Sequence, residues 1–139
     1  MRRNIGAAVA VVGLIGVGIA ARAQGQTPAP HAHSHTAPHG GEVVEVANHH
    51  VEFKADSAGT IAVWLLDAKE ETVAPPAGAS VTLIAGGATQ VTIPLQVEAA
   101  AQRLVARFDP RKFSTFQAVV SVPIAGTRHN VRFRYPGHH

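Results

Sequence analysis

Val91-Thr92-Ile93-Pro94-Leu95-Gln96-Val97-Glu98 is the stretch that decides the fold class. Val91, Ile93, Leu95 and Val97 alternate with Thr92, Pro94, Gln96 and Glu98. That period of two predicts a strand with one face on a core and the other in water. Pro94 has no N–H to give to a ladder, which predicts a sheet edge or a bulge at this point.

The same period recurs on both sides. Leu104, Ala106 and Phe108 alternate with Arg103 and Arg107, and Val131, Phe133 and Tyr135 alternate with Arg132 and Arg134. Residues 61–66, Ile-Ala-Val-Trp-Leu-Leu, are apolar on both phases and predict a central strand covered on both faces, with Trp64 as core anchor. Further strands are expected over 42–47, 50–54, 81–85 and 116–122. Ala58-Gly59, Gly86-Gly87 and Ala125-Gly126 supply turns. Asp109-Pro110 opens only a crossover turn, with Asp as cap and Pro in the first position. No internal repeat is visible. The expectation is all-β: an immunoglobulin-like antiparallel β-sandwich of about seven to eight strands, with a small barrel as the competing architecture.

The ends of the chain read differently. Arg2 and Arg3 precede an apolar run from Ile5 to Ala21, which closes on Ala21-Arg22-Ala23. A charged start, an apolar middle and small residues before a polar stretch mark a signal peptide over 1–23, with cleavage after Ala23. A retained membrane anchor is the alternative. Residues 24–38 hold no large apolar side chain and predict a flexible His/Pro-rich arm. The β-domain is expected over 39–136, with a frayed terminus over 137–139.

Composition then removes several classes of function. The 139 residues are 46% hydrophobic and 15% charged and contain no cysteine. That excludes a disulfide scaffold, thiolate metal chemistry and a lipid anchor on cysteine. Losing Arg2, Arg3 and Arg22 turns the net charge of +3 into nine basic against nine acidic residues. A neutral exported domain has neither the charge nor the compartment for nucleic acid. The sequence has no Gly-x-Ser-x-Gly, no His-Glu-x-x-His and no phosphate loop, and the His-x-Glu of zinc deaminases needs cysteine ligands that are missing here. The chain is read as a non-enzyme.

The nine histidines are the unusual feature. His31, His33 and His35 sit at alternate positions of the arm, where imidazoles could converge on one ion. His50 and Glu52 share one face of a predicted strand, about 6.5 to 7 Å apart. His39 precedes Gly40-Gly41, a pair that lets the chain turn back over the first strands. His39, His50 and Glu52 thus form a candidate metal site, open to water and to a fourth ligand. The plain alternative is a solvated surface pair and an ordinary turn. His49 and His129 have inward parity and read as core-edge residues, and His138-His139 is weak as a site. The arginines of the predicted strands read as a solvated face, or as a surface for an acidic partner.

His39-Gly40-Gly41, then Val43-Val44, then His50-Val51-Glu52-Phe53 resembles the opening of small exported proteins that accompany bacterial heavy-metal efflux and copper-handling systems. Residues 62–67 and 128–133 also resemble that pattern, so the likeness spans roughly residues 39–134. Many of these relatives have an aromatic residue where this chain has His49. The resemblance implies a periplasmic protein of metal homeostasis with a compact β-domain, and nominates His39, His50 and Glu52 by position. With neutral imidazole as ligand and no soft donor in the mature chain, the expected cargo is Cu(II) or Zn(II). A metal-efflux membrane complex is the candidate partner. The rival function is a non-enzymatic interaction module, docking on a membrane or efflux-complex component with its histidines incidental. Intact mass measurement of the protein recovered from the exported fraction is expected to give a chain beginning at Gln24. A chain that keeps residues 1–23 would contradict the leader.

Overall fold

Ten strands follow one another along residues 36–137, the part of the chain that the computed structural model describes. They are β1 (Glu42–Val46), β2 (His49–Ala55), β3 (Thr60–Leu66), β4 (Thr72–Val73), β5 (Ser80–Ala85), β6 (Thr89–Pro94), β7 (Gln96–Glu98), β8 (Arg103–Arg107), β9 (Phe116–Ile124) and β10 (Thr127–Tyr135). The expected leader, the arm histidines His31, His33 and His35, and His138-His139 lie outside the described residues. Among the described residues no helix is long and apolar enough to cross a membrane.

All pairings are antiparallel. One sheet runs β1-β2-β3-β8-β7, with β4 pairing the end of β3, and the other runs β10-β9-β5-β6. Local chemistry sets the hairpins. Asp56 Oδ1 accepts from the N–H groups of Ala58 and Thr60, at 3.0 and 2.9 Å, and closes the turn between β2 and β3. Ala47-Asn48 and Ala125-Gly126 each place two consecutive residues at positive φ, the geometry that matches the twist of a tight hairpin. The turn between β1 and β2 puts Val43 across from Glu52 and Glu45 across from His50.

The inner faces of the two sheets share one core. Val51, Phe53, Ile61, Val63 and Leu104 of the first sheet pack with Val81, Leu83, Val120, Val122 and Phe133 of the second. Phe53 and Phe133 stack across the gap, with ring centroids 4.8 Å apart. Burying each such side chain contributes about 1.5 to 3 kcal/mol, which lets a chain without disulfides fold on packing.

The structure departs from the sequence expectation in three places. There are ten strands rather than seven or eight, because β4 and β7 are too short to announce themselves by alternation. Residues 91–98 are not one strand: β6 ends at Pro94 at the edge of the second sheet, Leu95 is buried, and β7 resumes at the edge of the first. Pro94 does mark an edge, but the chain changes sheets there. Val91 and Val97 are consequently 36% and 43% exposed. Trp64 is buried, yet outside the main core. It shares the outer face of β3 with Ala62 and Leu66, in a small cluster of their own.

These placements predict opposite outcomes for residues that look alike in sequence. Phe133→Ala is expected to cost about 3 to 5 kcal/mol in chemical denaturation. Val91→Ala, on the most regular alternation in the chain, is expected to stay within about 0.5 kcal/mol of the parent.

Candidate functional site

On β2, Val51 and Phe53 point into the core, so His50 and Glu52 take the opposite face. That face is not open to water. Glu52 is 0% exposed and His50 6%, which corrects the expectation of a solvated pair. Glu52 lies across from Trp64 in the β2–β3 register, and His50 across from Leu66.

A carboxylate in such a place needs donors on both oxygens. The chain before β1 supplies them. Glu52 Oε1 accepts from the backbone N–H of His39 at 2.9 Å and from that of Gly41 at 3.0 Å. Oε2 lies 2.7 Å from Nδ1 of the His39 ring. The His39 ring lies flat on Trp64, with centroids 4.2 Å apart and planes 2° from parallel. Lys54 Nζ donates to the His39 carbonyl at 3.3 Å. His39 is thus held by its backbone, its ring edge and its ring face together.

The sequence around His39 explains how it comes to lie there. Gly40 N–H donates to the Ala37 carbonyl at 3.1 Å, which closes a turn with Pro38 in the second position, where its fixed φ fits. Gly40 has φ +75° and Gly41 has no room for a side chain. A Cβ at Gly41 would lie 2.4 Å from the Phe53 carbonyl oxygen. Gly40-Gly41 is therefore a close approach of the chain to β2 as well as a turn.

A carboxylate accepts and does not donate, so in the neutral ring the Glu52 contact puts the His39 proton on Nδ1 and the lone pair on Nε2. This is the carboxylate–histidine pairing that orients metal-ligating imidazoles from behind. The His39 side chain is 28% exposed. His50 has the same tautomer for a different reason: its Nδ1 donates to the Asp67 carbonyl at 2.9 Å. Asp67 is held in turn by its own side chain, whose Oδ1 accepts from the N–H groups of Lys69 and Glu71.

The structure thus brings His39 and Glu52 together and sets His50 beside them on the same sheet face. Glu52 stands behind the histidine, its oxygens already engaged with protein donors, rather than turned outward as a ligand. Among the described residues no group of three or more His, Cys, Asp or Glu side chains is arranged to hold a metal ion. The part of Trp64 was not foreseen. The register set by the Asp56 turn, counted back from Ala55 across from Ile61, pairs Trp64 with Glu52 and was the signal that could have found it. His49 and His129 are half-buried at strand starts, and His49 Nδ1 donates to the Ala47 carbonyl. No family model, curated protein or solved structure matches the chain.

Removing the carboxylate strands three donors. Glu52→Ala is expected to lower stability by roughly 3 kcal/mol. Gly41→Ala is expected to release the same segment, read as loss of hydrogen-exchange protection at the N–H groups of residues 39–41. Full protection in Gly41→Ala would contradict the close-approach argument.

Proposed function

We propose that this protein is an exported, non-enzymatic metal-binding protein that buffers or delivers Cu(II) or Zn(II), with His39 as the fixed ligand on its β-domain. The observation that carries the reading is the 2.7 Å contact between Glu52 Oε2 and His39 Nδ1, which leaves Nε2 as the metal-binding nitrogen of an imidazole that cannot turn. Glu52 acts as a positioning residue. His31, His33 and His35 lie four to eight positions before His39, so a metal held by His39 meets them at high effective concentration. His50, with its proton also on Nδ1, flanks the site on the same face.

Borderline nitrogen donors without cysteine favour divalent Cu or Zn over Cu(I). The signal-peptide pattern and the likeness of His39-Gly40-Gly41 and His50-Val51-Glu52 to exported metal-handling proteins support a periplasmic setting and a metal-efflux complex as recipient. The strand order supports an immunoglobulin-like reading of the fold. β2-β3-β8-β7 and β10-β9-β5-β6 match the A-B-E-D and G-F-C-C′ orders of that class, with β1 added at the edge beside β2.

Trp64 is the only tryptophan and stacks on the proposed ligand, so it reports on occupancy. Titrating the chain with Cu(II) is expected to quench its fluorescence saturably and reversibly with a chelator. His39→Ala is expected to abolish that quenching. Glu52→Gln offers an amide donor to Nδ1, moves the ring proton to Nε2, and is expected to weaken binding about 10- to 100-fold. Replacing His31, His33 and His35 is expected to weaken binding without removing the quench. Undiminished quenching in His39→Ala would overturn the assignment.

A further inference from the structure

We propose that the free edge of β10 is a docking strand for an extended acidic segment of a partner polypeptide. The strands with an unpaired side are β1, β7, β6 and β10, and the two-residue β4 at the end of β3. β10 is the longest of them, nine residues from Thr127 to Tyr135, and pairs only with β9. No strand pairs with its other side, which carries a row of backbone N–H and C=O groups and which β1 approaches without forming a ladder.

The side chains of β10 narrow the choice of occupant. Val131 and Phe133 point into the core, so Arg128, Arg132 and Arg134 share the outer face. Arg128 is tied down by the Gly78 carbonyl and Ser121 Oγ. Arg132 reaches only Gln117 Oε1, at 3.5 Å, and Arg134 has no ion-pair or hydrogen-bond partner among the described residues. None of the nine acidic residues of the chain lies on β5, β6, β9 or β10. They lie on β1, β2 and β7 or in loops, and Glu42 of β1 alone among them lines a cleft with Arg132 and Arg134, so the outer face of the second sheet is cationic beyond that one carboxylate.

This arrangement discriminates among strands that could add to the edge. Two β10 edges brought together would set arginine against arginine, so the chain does not pair with its own copy there. A strand with carboxylates at alternate positions meets Arg132 and Arg134 on one face while its backbone completes the ladder. Main-chain bonds would hold the partner, and the alternate acids would select it. The site lies on the sheet opposite the one that carries His39 and Glu52, and only its Arg134 end reaches the cleft that Gly40 and Gly41 also line.

The test uses the whole chain and a capped synthetic peptide in which glutamate alternates with valine. Saturable binding is expected, with protection of the outward amides of β10 in hydrogen exchange. Arg132→Glu with Arg134→Glu is expected to weaken it at least about tenfold, and to leave the Cu(II) quench of Trp64 unchanged. N-methylating the peptide at alternate amides on its pairing edge is expected to abolish binding. Equal binding by the N-methylated peptide, or by one with its glutamates in a block, would reduce the effect to general charge attraction and overturn the proposal. So would absence of peptide binding, or binding only to anionic phosphatidylglycerol vesicles.

Discussion

The arrangement rests on one buried carboxylate. Glu52 sits in the middle of a sheet with no exposure, where an unpartnered charge would cost several kcal/mol. It is tolerated because residues 39–41 bring two backbone N–H groups and a ring nitrogen onto its oxygens. That requirement propagates outward. The chain must turn at Pro38, pass without a side chain at Gly41, and lay the His39 ring on Trp64. The outer face of β2 and β3, which would otherwise expose an indole and a carboxylate side by side, is closed by the segment that enters the domain.

The same constraint links structure to chemistry. An imidazole on a mobile loop samples both tautomers and many directions, and binding a metal would have to order it. His39 is instead ordered by the protein itself, by a carboxylate behind it and an aromatic face beneath it. Preorganisation of this kind favours tighter and more selective binding than a histidine-rich arm alone can offer. On the proposed reading the labour divides between a fixed nitrogen on the domain and further nitrogens tethered close to it in sequence. The opposite sheet supplies none of the groups that hold His39, although the end of β10 lines a cleft with Gly40 and Gly41.

Much of the fold was legible because alternation is a direct imprint of a half-buried strand. Phe133 and Val131 against Arg132 and Arg134, or Leu104 and Ala106 against Arg103 and Arg107, could hardly be read otherwise. The failures have local causes. Residues 91–98 keep the period through a point where the chain changes sheets, and alternation carries no information about which sheet a strand joins. In the run 61–66 both phases are apolar, so the parity of Trp64 could be resolved only from the β2–β3 register. Spacing and the likeness to metal-handling proteins nominate His39, His50 and Glu52 as a group. Spacing could not show that Glu52 is buried, because that depends on the chain bringing His39, thirteen positions earlier, back over it.

The most direct measurement is the protonation site of the His39 ring, read by long-range proton–nitrogen NMR of the metal-free chain at a pH where the imidazole is neutral. The account predicts a single tautomer with its proton on Nδ1, facing Glu52, and a shift of that proton to Nε2 in Glu52→Gln. A ring protonated at Nε2, or one averaging between tautomers as in an unstructured peptide, would contradict the central claim that Glu52 fixes His39 for ligation.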